Sequence, residues 1–258
     1  MNDSVSFDRI ADRFDSTRSY PDVTWGAVID ALAGVIDSRK RILEAGVGTG
    51  RFAAPLQARG FDIVGVDISS RMLEKAKEKG VRNLFQADLC ALPFRDKRFE
   101  QTLSVHVLHL IKRWKCALGE IARVTTGSFI SIGFVKVESE AERIRDIYDE
   151  ACKQAGFPLY HPGVHERELP ELLKPDGEKL IVTLERPVDV QKLIEDYESR
   201  TYSLQWSVPE EIHEQAMEAL RDACDGLETV MGIERIALLE WDIRRIREFS
   251  KGEEPYRT

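Results

Sequence analysis

The chain reads as an α/β protein: a doubly wound, mostly parallel sheet with a helical cap drawn from the N-terminus and a late insertion. Three observations predict this. Apolar runs of strand length alternate with helix-patterned stretches between residues 41 and 135. A tight cluster of glycines joins the first run to the helix after it, and two late apolar runs are separated by a long helical stretch. Strand–helix alternation gives a parallel sheet covered on both faces, and right-handed crossovers wind it both ways from a switch point.

The elements follow in order. After a polar lead-in with helical character, RILEA (41–45) is a short buried strand, and RFAAPLQARG (51–60) is helix-patterned and ends on Gly60. FDIVGVD (61–67) is the second strand. SSRMLEKAKEKG (69–80) opens on serines suited to an N-cap and closes on a glycine suited to a C-cap. NLFQAD (83–88), QTLSVHV (101–107) and SFISIGFV (128–135) are further strands, with KCALGEIARV (115–124) a helix between the last two. Beyond Glu138, EAERIRDIYDEACKQAG (140–156) is an amphipathic helix and FPLYHPGVHERELP (157–170) a loop. EKLIVTLERPV (178–188) and IERIALLEWDI (233–243) are late strands. The segment between them is mostly helical, with Pro209 placed at the first helical position before Glu210 and Glu211.

Bulk properties narrow the function. The formal charge of −8 excludes the usual basic polyanion binder, so no nucleic-acid partner is expected. Four widely spaced cysteines, with no CxxC pair, point to reduced thiols and a cytoplasmic setting. The opening MNDSVSFDRIADRF is too polar for a signal peptide, and the apolar stretch AVIDALAGVID is broken by Asp30 and too short to span a bilayer. No membrane association is expected.

The segment RILEAGVGTGRF places Gly46, Gly48 and Gly50 where a strand ends and a helix begins. In a parallel sheet ligands bind there, because bare backbone admits a close approach. A purely structural turn is the alternative. Two ligand readings compete. GTGRFA satisfies a dinucleotide-binding pattern, with Asp67 following about 20 residues on. Beginning two residues earlier, the same stretch is E-x-G-x-G-x-G. Both readings place Asp67 on a ribose diol, so that residue does not separate them.

Taken from Glu44, the stretch resembles the first motif of the class I S-adenosylmethionine-dependent methyltransferases, and FQADLCALPFRDKRFE (85–100) resembles the segment after their third strand. SVHVLHLIKRW (104–114) is similar to the family's fourth strand and its exit loop, and FDRIADRFDSTRSYP (7–21) to its lead-in helix. The resemblance covers roughly residues 7–135 and is nearest to the small-molecule group of the ubiquinone-biosynthesis type. One departure is TTGS (125–128), where the family usually carries a lysine-proline-glycine-glycine turn.

The resemblance implies a Rossmann-like fold, S-adenosylmethionine as cofactor and a small-molecule methyl acceptor. It implies one domain over residues 1–258: a lead-in or lid (1–37), a cofactor-binding core (38–137), and the rest of the sheet with a cap insertion at about 187–228. Ala45, Gly46, Val47, Gly48, Thr49 and Gly50 would line the cofactor's methionine end, with Glu44 facing its ammonium group. Asp67 would take the ribose hydroxyls, Ile68 and Met72 would pack nearby, and Asp88 and Leu89 would hold the adenine. His106 would border the sulfonium, and Tyr20 would close from the lead-in. His109 is the candidate general base, since an imidazole titrates near neutral pH. His161, Tyr202 and Trp206 are candidates for the acceptor pocket. Each has a plainer reading: Glu44 as a helix cap, Ile68 and Trp206 as core, His106 and His109 as strand-end histidines. The pair His161 and His165 has helical spacing, but Pro162 and Gly163 oppose a helix, so no metal is expected. RNA or protein methylation, an NAD-dependent oxidoreductase and a noncatalytic cofactor-binding module remain the alternatives.

Overall fold

The computed structural model describes residues 6–8, 11, 12, 14, 15, 22–135, 137–165 and 168–252. These fall into two compact units. The first takes in the chain to Phe134, Pro162–Val182 and the chain from Ile236, and the second Val135–His161 and Thr183–Arg235.

In the first unit, helix α1 (Asp22–Val35) precedes β1 (Arg41–Ala45), α2 (Ala53–Ala58), β2 (Asp62–Asp67), α3 (Ser70–Glu78) and β3 (Leu84–Gln86). Then come β4 (Phe99–Ser104), a 3-10 turn (Leu108–Leu110), α4 (Trp114–Val124) and β5 (Thr125–Val135). Strands β6 (Gly177–Asp189) and β7 (Thr229–Asp242) complete a seven-stranded sheet of order β3-β2-β1-β4-β5-β7-β6. Strands β1 to β5 pair in parallel.

Alternate side chains explain why both faces are covered. Leu43, Ala45, Val64 and Val66 meet Leu118, Ile121 and Ala122 of α4 on one face. Ile42, Ile63, Leu103 and Ile130 meet Val28, Ile29 and Leu32 of α1 and Leu56 of α2 on the other. Successive residues of a strand point to opposite faces, so a strand buried on both must be apolar throughout, as RILEA nearly is. Glu44 is its exception.

The structure refines several boundaries. TTGS is no turn: β5 begins at Thr125, with a register irregularity opposite Phe99 and Gln101. A Cβ on Gly127 would stand 2.5 Å from the Glu100 carbonyl oxygen, so this glycine lets the irregular pair close. Pro209 is the N-cap of the helix that follows, one residue before its expected place. The loop at 157–170 carries one short helix, α6 (Leu169–Leu172).

A C-terminal helix, α9 (Ile243–Ser250), was not evident in the charged stretch RRIREFS. Asp242 caps it, accepting from the Arg244 amide, and Ile243, Ile246 and Phe249 fall at three-residue spacing into the core beside α4. The Arg247 guanidinium donates to the Ala122 and Thr125 carbonyls, where α4 ends. Charge on the solvent face masks the short apolar stripe in the sequence.

The second unit has its own core. Helices α5 (Glu140–Gln154), α7 (Val190–Glu198) and α8 (Glu210–Cys224) bury Ile144, Tyr148, Leu193, Tyr197, Met217 and Leu220 together. Its polar core pair is Tyr148 and His213, with Oη and Nδ1 2.6 Å apart. Among the described residues no helix is long and apolar enough to cross a membrane.

Ile246 is fully buried, so Ile246→Ala should cost about 2–5 kcal/mol of stability through lost burial and the cavity left behind. Urea unfolding measures this; an unchanged midpoint would mean that α9 is not part of the cooperative core.

Candidate functional site

The sheet order reverses between β1 and β4, both flanked by parallel neighbours, and the loops leaving these two strands define a crevice at their carboxyl ends. After β1, Gly46, Gly48 and Gly50 have φ of +77°, +53° and +76°. Their bareness has three separate causes. A Cβ on Gly46 would lie 2.2 Å from Val107 Cγ2, so the exit of β4 rests on the loop at that point. A Cβ on Gly50 would lie 2.6 Å from Val81 Cγ2 and 3.1 Å from Ala76 Cβ, so this glycine seats α3. Gly48 has nothing within 4 Å of its Cβ position. Its positive φ, and not packing, calls for glycine there, and the space beside it is open.

Two carboxylates flank this opening. Glu44 is the penultimate residue of β1, 2 % exposed. It accepts the Ala53 amide at the start of α2, as a helix-capping acid would, while its Oε2 is buried with no hydrogen-bond partner. Burial, and then the negative charge of Asp67, push its carboxyl well above the usual range. Asp67 ends β2. Its Oδ2 accepts the Gly48 amide at 2.8 Å and its Oδ1 the Ser69 amide at 2.9 Å. Burial raises its carboxyl too, and backbone hydrogen bonds from Ser69, Gly48 and Ile68 oppose the rise.

The Gly46 and Val47 amides both donate to the Val66 carbonyl, at 2.8 and 2.9 Å, which fixes the loop against β2. Val47 packs inward and Thr49 is 1 % exposed. The Thr49 hydroxyl donates to Asp15 Oδ1 at 2.7 Å, and Lys79 donates to the same hydroxyl at 3.0 Å. Asp15, from the lead-in, therefore reaches the loop, and Asp8 accepts from the Ser69 hydroxyl. Sequence reasoning missed both aspartates. Tyr20, its own choice from the lead-in, lies outside the described residues.

Beyond Asp67, the chain is laced to the exit of β3. The Ala87 amide donates to the Asp67 carbonyl at 3.1 Å, and Gln86 Nε2 to the Ile68 carbonyl at 3.0 Å. Ile68 and Asp88, both half-buried, are thereby brought to one edge of the crevice. Asp88 Oδ1 accepts the Cys90 amide at 2.8 Å, while Leu89 and Met72 are core residues, 6 % and 2 % exposed.

At the exit of β4, His106 adopts φ +55°, a left-handed conformation that costs a non-glycine residue about 1 kcal/mol or more. His109 is buried in the 3-10 turn, and its carbonyl accepts the Gly163 amide at 3.0 Å. His165 joins them from the later loop. Ring centroids lie 6.4 Å apart for His106 and His109, 6.2 Å for His106 and His165, and 5.1 Å for the stacked His109 and His165. The sequence linked His165 to His161 instead. Among the described residues no group of three or more His, Cys, Asp or Glu has the arrangement to hold a metal.

His161, Tyr202 and Trp206 belong to the second unit. There the Trp206 indole donates to the Arg200 carbonyl at 2.9 Å, and the Tyr202 ring lies 5.3 Å from that of Tyr197. A separate cleft of about 310 Å³, lined by Arg39, Arg41, Asp62, Arg98 and Glu100, lies at the amino ends of β1, β2 and β4. That is the opposite end of the strands from the glycine loop, and the open charged lining carries none of the features above.

Residues 43–129 match the model of a methyltransferase domain. The uncharacterized protein MJ1123 of Methanocaldococcus jannaschii is 32% identical over 176 residues, 68% of this chain and 82% of its own. The chain belongs to the class I S-adenosylmethionine-dependent methyltransferases. The demethylmenaquinone methyltransferase of Renibacterium salmoninarum is 31% identical over 127 residues, 47% of this chain and 53% of its own, so the chain spans about half of that enzyme. The malonyl-[acyl-carrier protein] O-methyltransferase of Erwinia pyrifoliae is 35% identical over 86 residues, 33% of each chain. Among solved structures, the YcgJ protein of Bacillus subtilis has the same fold, with a TM-score of 0.52 at 18% identity over 85% of this chain and 98% of its own. The family's cofactor is S-adenosylmethionine.

For this methyltransferase the buried Glu44 has a measurable consequence. Its folded-state pKa is raised above the unfolded value of about 4.5. Its contribution to stability is therefore full below that value and is lost as pH rises through the folded pKa. Glu44→Gln removes the ionisation. Without ligand, the variant should match the wild type near pH 5 and exceed it at pH 8 by about 1–3 kcal/mol, the cost of an unpartnered buried group. Thermal unfolding across that range decides it; parallel curves would sink the assignment.

Proposed function

We propose that the protein transfers the methyl group of S-adenosylmethionine to a small-molecule acceptor, in the crevice between the β1 and β4 loops. The observation that carries this reading is the pairing of an unsatisfied buried acid with open backbone. Glu44 Oε2, without a partner, suits a cation such as the cofactor's ammonium group. Each oxygen of Asp67 accepts one backbone amide from Gly48 or Ser69 and keeps a lone pair for a ribose hydroxyl. Gly48 gives the room between them. These residues fit the cofactor, and a purely structural glycine turn has no use for Glu44 Oε2.

In this reading Ala45 to Gly50 hold the methionine end, Ile68 and Met72 shape the adenosine site, Asp88 and the Leu89 amide hold the adenine, and Tyr20 closes from the lead-in. Bound S-adenosylmethionine supplies an electrophilic methyl group on a sulfonium. The protein's task is alignment, and orientation alone is worth roughly 7–11 kcal/mol in such a displacement. The His106 carbonyl borders the reacting sulfur and His109 acts as base. The small-molecule class is supported by the acidic chain and by the relatives' names, which give demethylmenaquinone and malonyl-[acyl-carrier protein] as acceptors.

Asp67→Ala should weaken S-adenosylhomocysteine binding by about 1.5–3 kcal/mol, roughly ten- to a hundredfold. Calorimetry that returned the wild-type affinity would remove Asp67 from the site. The acceptor class is tested by tritiated methyl transfer into total RNA, total protein and a metabolite extract in parallel. Saturable label is expected in the metabolite fraction; label confined to RNA or protein, and lost in Asp88→Ala, would overturn the small-molecule reading.

A further inference from the structure

Two glycines clamp the exit of β4 from opposite sides. Gly46 lets Val107 rest on the cofactor loop, as described above. On the other side, a Cβ on Gly163 would lie 2.0 Å from the Leu108 carbonyl oxygen and 2.4 Å from that of Ile111. No other residue lets the 162–165 segment come so near the turn. The result of this double approach is three imidazoles in mutual ring contact, graded in exposure: His109 buried, His165 half-buried, His106 exposed. The Glu168 carboxylate holds the His165 amide at 3.2 Å and sets that end of the loop. Lys112 and Arg113, the next charged groups along the turn, are exposed. The row runs from interior to solvent beside the cofactor loop.

We propose that His106, His109 and His165 form the acceptor-side proton site, and that the acceptor is methylated on a weakly acidic hydroxyl, phenolic or enolic. This rests on the methyltransferase reading above and adds His165, with the acceptor's chemistry, to it. As the oxygen–carbon bond forms and the sulfur–carbon bond breaks, the hydroxyl proton passes to an imidazole nitrogen and then to solvent. The products are a methyl ether, the neutral sulfide S-adenosylhomocysteine and one released proton. Imidazole suits this acceptor because a base is most effective when its pKa lies near the working pH and its partner is weakly acidic. The cofactor's own charge times the event. A sulfonium close by disfavours imidazolium, which favours proton acceptance by way of the cluster only as the methyl group leaves. Once the sulfur is neutral, the imidazoles hold a proton more readily.

The test uses the full chain labelled at histidine, with imidazole resonances titrated between pH 5 and 9 in the S-adenosylmethionine and S-adenosylhomocysteine complexes. The cluster should titrate lower in the first by roughly one pH unit, the size expected for a unit charge several ångströms away. His165→Asn should alter the titrations of His106 and His109 while leaving S-adenosylhomocysteine affinity within about twofold by calorimetry; His165→Gln serves as a second variant. Indistinguishable titrations in the two wild-type complexes would overturn the proposal, even with both ligands bound tightly. Failure of the wild type to bind either ligand would instead overturn the methyltransferase reading. The labelled product from the metabolite extract gives an independent check. A methyl ether is expected. A methyl ester, a sulfonium or a quaternary ammonium, each formed from an acceptor with no proton to lose, would also overturn it.

Discussion

The contact between the bare Cα of Gly46 and the side chain of Val107 is what the rest of the site depends on. It joins the loop after β1 to the exit of β4 across the line where the sheet order reverses. A side chain at residue 46 would force the two apart, and a smaller residue at 107 would leave a gap under the loop. With the contact made, the loop amides of Gly46 and Val47 reach the Val66 carbonyl, and the Gly48 amide reaches Asp67. The crevice is thus fixed by backbone, and the residues around it inherit their positions from that frame.

Such a frame tolerates an expense that an ordinary core would not. Glu44 lies within a buried strand, with Leu43 and Ala45 fully buried on either side, and one of its oxygens has no partner. A buried polar group left unsatisfied costs about 1–3 kcal/mol, and Asp67 nearby adds repulsion. An apolar residue there would make a more stable β1. An acid at this position fits the binding role proposed for it, since stability is commonly given up where a ligand must later be held.

How much of this was legible in the sequence follows from how local each signal is. The strands β1 to β5, and the glycine loop, are written in runs of adjacent residues, so their order and approximate limits could be read directly. Asp67 was chosen because it ends β2, and Asp88 because it follows β3 in a recognisable motif. Helix α9 was hidden because its apolar stripe is only Ile243, Ile246 and Phe249 within a highly charged stretch. The histidine cluster was hidden for a deeper reason. His165 is 56 residues from His109, and what unites them is the absence of a Cβ at Gly163, whose meaning appears only against the Leu108 and Ile111 carbonyls. The division into two compact units was equally out of reach, because its boundaries cut through β6 and β7, each of which reads as one continuous strand.

The two sides of the crevice answer a positive charge in opposite senses. Burial and the neighbouring Asp67 raise the Glu44 carboxyl, and a cation beside it acts in the opposite sense, favouring the ionised form. In the proposed proton site a different charge, that of the sulfonium, disfavours imidazolium at the β4 exit. On the proposed reading the cofactor's two positive charges act on the two sides separately, the ammonium matched to a counter-ion and the sulfonium to a base. Loss of the sulfonium charge reverses only the second effect: S-adenosylhomocysteine keeps the ammonium group that Glu44 would face, whereas the proposed base would regain affinity for protons. Placing the acids at the ends of β1 and β2 and the imidazoles at the end of β4 separates these responses across a frame that backbone contacts keep fixed.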